Sequence, residues 1–355
     1  MTGDSTPDLR EQYDALLLDL DGTLYLGPHS IPGTAQALAS GTQQLLYVTN
    51  NASRSPADVA NHLRELGFAA ADDDVVTSSQ AAARLLAERL EPGDAVLVVG
   101  TDALADEVRG VGLVPVRSFD DGPKAVVQGH SPQTAWPILA EAAYAIRSGA
   151  LWVAANTDTT LPTERGFAPG NGAMVAALRT ATGAVPLVAG KPAAPLLEDA
   201  LRRGGRTKSL VVGDRLDTDI AGANETGLDS LLVLTGVSTV ADLLRATPDE
   251  RPTFVSRSLD ALNHPLGTEG DRGWRAEPKD TDVVLHGPDA ANPNDPAEIL
   301  AAIRVAALAA WALPEFGAVS AGNSVAATVI DAWAEPDPTG GGCAVSLHAD
   351  APGIG

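Results

Sequence analysis

Short apolar runs, each cut off by a polar or glycine turn and followed by a helix-length segment, limit most strongly how this chain can fold. The first, Ala15–Leu18, ends in the turn-forming DLDGT. Leu45–Thr49 runs into Asn50 and Asn51, Ala95–Val99 into Gly100, and Ser209–Val212 into Gly213 and Asp214. Ala125–Val127, Leu151–Ala155 and Leu231–Leu234 have the same character. Runs that are apolar throughout, without alternation, belong to strands covered on both faces, as in a parallel sheet. Pro56–Leu66, Gln80–Leu90, Ala173–Thr180 and Ala194–Arg203 supply helices between them. Strands alternating with helices predict an α/β fold built on a doubly wound parallel sheet.

Composition then removes whole classes of function. At 355 residues the chain exceeds the usual size of one core, so two or three domains are expected. Asp+Glu 46 against Lys+Arg 24 gives a net charge of −22, which argues against nucleic acid or an anionic membrane as partner. The single cysteine, Cys343, excludes an internal disulfide, and no Cys/His cluster offers a zinc site. The first fourteen residues lack a basic start and an apolar run, and Ala301–Leu313 is too short for a membrane span and carries Arg304. A cytoplasmic protein is expected, and a homo-oligomer stays open.

After Leu262 the chain changes character. Residues 263–274 are rich in Gly, Pro and charge and read as a linker. Residues 275–355 then read as a small, separately folded α/β module with a strand at Val283–Leu285 and a last strand at Ala344–Leu347. Asp295, Pro296 and Glu298 have the pattern of an N-cap, a first-turn proline and a capping-box glutamate. Leu300, Ile303, Ala307 and Trp311 share one face of the helix that follows, and Val325, Val329 and Trp333 one face of a second. Pro338–Gly342 is expected to break the chain.

Four segments carry chemistry. Asp19 and Asp21 stand at the carboxyl end of the first strand, where open parallel sheets bind ligands. One carboxylate can attack phosphorus while the other handles the leaving-group proton. An ordinary turn with two solvated acids accounts for the same residues. Thr49 and Asn50, at another strand end, can offer a hydroxyl and N–H groups to phosphate oxygens, or merely cap a helix. Lys191, before Pro192, can set one cation beside a phosphoryl group, though a lone lysine is usually a surface residue. Asp214 ends a strand as Asp19 does. Carboxylates from two strands suit Mg²⁺, and Asp219 can orient the site; an acidic helix start is the bland alternative.

In this order the four segments resemble the four motifs of the haloacid dehalogenase (HAD) superfamily of phosphatases. DLDGTLYLG, IPGTAQAL, VTNNASRSP, AGKP and GDRLDTDI resemble more narrowly its 4-nitrophenylphosphatase-like, phosphoglycolate phosphatase-like and NagD-like subfamily. The segment from Ala155-Asn156-Thr157-Asp158 to Pro169-Gly170-Asn171-Gly172 is similar too, and the likeness runs from about Tyr13 to Leu262. It implies Asp19 as a nucleophile that becomes an aspartyl-phosphate and Asp21 as acid and then base. Thr49 and Lys191 would hold the phosphoryl group. Mg²⁺ would sit on Asp19, the Asp21 main-chain carbonyl and Asp214, with Asp219 in support.

Spacing adds to this. Thr49 and Lys191 lie 191 − 49 = 142 residues apart, far more than one βα unit needs. The expected organisation is a Rossmann-like core of residues 10–78 and 189–262 with an inserted cap at 79–188, which the resemblance implies is of the α/β kind. Asn156 and Asp158 are candidates for a cap–core junction near the substrate. The cap aromatics Phe119, Trp136, Tyr144, Trp152 and Phe167 show no evident stacking pair for a base, which favours a short phosphate ester. The resemblance implies a Mg²⁺-dependent phosphomonoesterase acting on a small metabolite, and among the substrates of that subfamily glycerol 3-phosphate is placed before 2-phosphoglycolate. A phosphotransferase on the same core and a non-catalytic phosphometabolite-binding module are the alternatives.

Overall fold

The apolar runs are strands, and their side chains are buried because both faces of the sheets are covered. The computed structural model describes residues 7–163, 165–205, 208–266, 271–333 and 344–347. Contacts divide the chain into two compact units, residues 1–45 with 206–355 and residues 46–205.

In the first unit Ala15–Leu18, Ser209–Gly213, Asp229–Val233 and Phe254–Ser256 lie side by side, all parallel, with Leu18 opposite Val212. Asp19 and Asp214 follow the first two of these strands directly. Such neighbouring strands, ending level, deliver two acids to one edge of the sheet. Val345–Ser346 adds an antiparallel strand beyond Phe254–Ser256. Arg275–Lys279, Asp282–His286 and Val319–Ala321 make a separate three-stranded sheet.

The C-terminal segment does not form a core of its own. Ile299, Leu300, Ile303, Ala307, Val283 and Trp274 share one hydrophobic cluster with Leu216, Ile220, Val240, Leu243 and Val255. Helix Pro296–Ala312 is therefore buried nearly all round rather than along the single stripe that Leu300, Ile303, Ala307 and Trp311 suggest. Trp311 donates its indole N–H to the Leu243 carbonyl at 2.9 Å and carries the Arg251 guanidinium over its ring at 4.9 Å. Asp295 caps the helix through the Ala297 N–H. Glu298, however, turns away from the N-cap to accept the Trp274 indole N–H at 2.6 Å and Arg272 at 3.0 Å. A buried indole and guanidinium outcompete the helix end for that carboxylate. Position 262 is thus no break in packing. Pro338–Gly342 and Cys343 lie outside the described residues.

In the second unit a five-stranded parallel sheet has the order Leu187–Val188, Leu151–Ala154, Ala125–Gln128, Ala95–Val99, Val114–Val116. Helices Trp136–Arg147 and Asn171–Thr182 contribute to a cluster of Leu97, Val126, Ala142, Ile146, Trp152, Val175 and Leu178. Phe119 and Tyr144 do meet, with ring centroids 6.3 Å apart and planes tilted 56°, which is not a parallel slot for a base. Thr160–Thr163 and Gly166–Pro169 form a hairpin. Thr49 and Thr77 end a parallel pair of strands, Gln44–Thr49 and Val75–Thr77. No helix among the described residues is long and apolar enough to cross a membrane.

Candidate active site

In the first unit the ladder extends one residue past the strand, with the Asp19 N–H donating to the Val212 carbonyl at 2.8 Å. The chain then turns tightly. Gly22, at φ 90°, donates to the Tyr25 carbonyl at 2.8 Å, and the N–H groups of Leu24 and Tyr25 return to the Leu20 carbonyl. Only glycine adopts that left-handed backbone at no steric cost. Asp21 is an exposed residue at this turn. Protein crowding one side of its carboxyl nevertheless pushes its pKa above the ordinary value, with a Gly27 backbone hydrogen bond pulling it partly back.

Asp214 is fully buried. Its Oδ2 accepts the Val237 N–H at 2.6 Å, and its main-chain carbonyl accepts the Ser238 N–H at 3.1 Å. Glycines shape its surroundings: a Cβ on either Gly22 or Gly236 would overlap the Asp214 carboxylate. Thr235 pins the turn by donating its hydroxyl to the Gly22 carbonyl at 2.7 Å.

Asp219 reaches the same place through an unusual turn. Leu216–Ile220 is a π-helical turn in which the Ile220 N–H reaches back five residues to the Arg215 carbonyl. The turn folds Asp219 back so that its Oδ2 accepts the Arg215 N–H at 3.1 Å, and Gly213 leaves room where a Cβ would overlap that carboxylate. Asp19, Asp214 and Asp219 each offer an oxygen, and these three atoms lie within 4.8 Å of one another. Carboxylates that close repel by about 4 kcal/mol per pair at an effective dielectric near 20. An all-oxygen donor set with glycines lining both of its buried members, Asp214 and Asp219, fits a hard divalent cation.

The second unit gathers the other expected residues. Thr49 is buried, and its hydroxyl oxygen accepts the Asn51 N–H at 3.1 Å. Lys191 is buried as well, and its ammonium donates to the Val48 carbonyl at 3.1 Å. The Asn50 amide bridges to the Lys191 main chain and to Asp158. Asn156 donates to the Asn50 carbonyl at 2.7 Å and accepts the Asp158 N–H at 3.2 Å. Asn50, Asn156, Asp158 and Lys191 therefore form one hydrogen-bonded group, and the Asn156 amide is spent on protein partners at both ends. Thr235, Gly236, Val237, Ser238 and Ser78 were not foreseen. They act through backbone groups, a hydroxyl or the absence of a side chain, which no charge pattern announces.

The haloacid dehalogenase-like hydrolase family model matches residues 16–114, and the HAD-hydrolase-like model matches 188–262. The chain is 57% identical over 272 residues to the D-glycerol 3-phosphate phosphatase of Mycobacterium tuberculosis, covering 76% of this chain and 77% of that protein. It is 36% identical to an acid sugar phosphatase of Staphylococcus saprophyticus, covering 71% of this chain and 97% of the other. Among solved structures, a glycerol phosphate phosphatase from Mycobacterium tuberculosis in complex with magnesium superposes with a TM-score of 0.86 at 50% identity. That match covers 93% of this chain and 99% of the other. A 4-nitrophenylphosphatase from Thermotoga maritima gives 0.66 at 31% identity, covering 72% and 97%.

Proposed function

The chain belongs to the haloacid dehalogenase-like hydrolases, and from that membership we propose that it is a Mg²⁺-dependent phosphomonoesterase whose substrate is glycerol 3-phosphate. The observation that carries this reading is the Asp19, Asp214 and Asp219 oxygen cluster at the strand ends of the first unit. The likeness to the mycobacterial phosphatase supplies the substrate.

In this reading a carboxylate oxygen of Asp19 attacks phosphorus, and the P–O bond to glycerol breaks as Asp21 donates its proton to the departing oxygen. The raised pKa of Asp21 lies in the direction that a proton donor needs. Water then attacks the phosphorus of the aspartyl-phosphate, Asp21 takes its proton, and Asp19 is regenerated as phosphate leaves. The Thr49 hydroxyl and the Lys191 ammonium hold phosphoryl oxygens. Mg²⁺, held by Asp19, the Asp21 main-chain carbonyl and Asp214, with Asp219 in support, would neutralise charge on the phosphoryl group when bound.

The organisation proposed with it is a core of residues 10–78 and 189–262 and a cap at 79–188 that admits small esters. The 142 residues between Thr49 and Lys191 support that division. The C-terminal segment belongs to the scaffold, and the setting is the cytoplasm.

Phosphate release from glycerol 3-phosphate and 2-phosphoglycolate, with and without Mg²⁺ and with added acceptor alcohols, tests the reading. It predicts metal-dependent release with the higher kcat/KM on glycerol 3-phosphate. Full turnover in excess chelator, or no turnover of either ester, would overturn it. Phosphoryl transfer to an alcohol in preference to water would make the protein a phosphotransferase.

A further inference from the structure

We infer that the Asn50 side chain positions Lys191 rather than binding the phosphoryl group, and that Asp158 and Asn156 act through Asn50. This deepens the proposed function and rests on its role for Lys191.

An asparagine amide has one oxygen acceptor and two N–H donors. The Asn50 Oδ1 accepts the Lys191 N–H at 2.8 Å, while Nδ2 donates to the Lys191 carbonyl at 3.0 Å. One side chain thus grips both main-chain polar groups of a single residue, as a neighbouring strand would. Nδ2 also faces both carboxylate oxygens of Asp158, each at 3.3 Å. Both side-chain donors are occupied by protein, so the amide has none left for phosphate.

The main-chain carbonyl of Asn50 is fixed too. It accepts the Ser78 hydroxyl at 2.6 Å and the Asn156 amide at 2.7 Å. Gly190 is the residue that lets this happen, because a Cβ there would overlap Asn50 Oδ1 and the Ala155 carbonyl. Lys191 is consequently held to residues 48–50 at its N–H, its carbonyl and its ammonium. A long flexible side chain gains precision when its backbone is fixed, and misplacement by about 1 Å can cost on the order of 10²-fold in rate.

Chemistry also says why the residue is an amide. An aspartate there would keep the oxygen for the Lys191 N–H but bring a second carboxylate against Asp158. An aliphatic residue would leave two buried Lys191 main-chain groups unmet.

The test is a double-mutant cycle in the full-length protein, with kcat and KM measured on 4-nitrophenyl phosphate in Mg²⁺. Asn50→Ala alone is expected to lower kcat/KM by roughly 10²-fold. In a Lys191→Met background the same change should cost less than about threefold, because residues acting as a unit are non-additive. If Lys191→Met turnover falls below detection, Lys191→Arg takes its place. If Asn50→Ala does not fold, Asn50→Asp is used. Equal losses from the Asn50 change in both backgrounds would mean independent contact with substrate and would overturn the inference while leaving the Lys191 role standing. A Lys191→Met enzyme as active as wild type would overturn both.

Discussion

Asp19 and Asp21 are two residues apart and chemically alike, yet the turn gives them different surroundings and so different tasks. Asp19 belongs to the three-carboxylate cluster. Asp21 stands outside that cluster with its pKa raised by the protein that crowds one side of its carboxyl. Its proton is therefore retained to higher pH than on an ordinary carboxylate, and the first chemical step should slow as pH rises through that pKa. Asp21→Asn should leave a burst of 4-nitrophenol, whose departure needs little protonation, while steady turnover of glycerol 3-phosphate falls by about 10²–10⁴-fold. A variant that hydrolyses both esters at wild-type rates would remove Asp21 from the mechanism. The glycines around Asp214 make a second prediction. Gly236→Ala puts a methyl group into the carboxylate's place and should raise the Mg²⁺ concentration for half-maximal activity by about 10–100-fold. An unchanged metal titration would contradict the cradle. At this scale the acids, Thr49 and Lys191 stood out in the sequence only through the order of the four motifs together, since each alone has an ordinary structural use. Gly236 and the Val237 N–H did not, since their contribution is space and backbone.

Among the elements, the parallel strands were legible for the reason that makes them strands: burial on both faces demands unbroken apolar runs. The π-helical turn at Leu216–Ile220 was not, because its acids read equally well as an ordinary helix start, and only the hydrogen-bond register distinguishes the two. Glu298 misled for a related reason. Its position after Asp295 has capping-box spacing, but the deciding partners, Arg272 and Trp274, are 24 and more residues away. One strand carries a cost that sequence pattern does not show. Gln128 is fully buried at the end of Ala125–Gln128, and neither of its side-chain amide atoms has a hydrogen-bond partner among the described residues. An unmet buried polar group costs about 1–3 kcal/mol. Gln128→Met, similar in volume and without that demand, should raise the melting temperature by several degrees, read by thermal unfolding. A lowered melting temperature would show that the amide is satisfied by bound water.

For the molecule as a whole, the Gly- and Pro-rich stretch after Leu262 suggests a boundary, and the composition of the helices beyond it suggests an independent module. Packing decides otherwise. Leu216, Ile220, Val240, Leu243, Leu244 and Val255 are buried in the cluster that helix Pro296–Ala312 completes. Composition reports where a chain can bend, not which surface its helices will cover, so this part was illegible. Truncation after Leu262 should strip an apolar face and yield protein that aggregates or unfolds well below the full chain's melting temperature. A soluble truncated protein with unchanged stability would show that the segment is dispensable to the fold.

The most direct test of the whole account is to trap the covalent intermediate. The full-length protein is mixed with glycerol 3-phosphate and Mg²⁺, quenched in acid within one turnover, digested and mapped by mass spectrometry. The account predicts one added phosphoryl group on the peptide bearing Asp19, located on that residue, and none in Asp19→Asn or in excess chelator. Undiminished phosphate release by Asp19→Asn, or a phosphoryl group found on another residue, would contradict it.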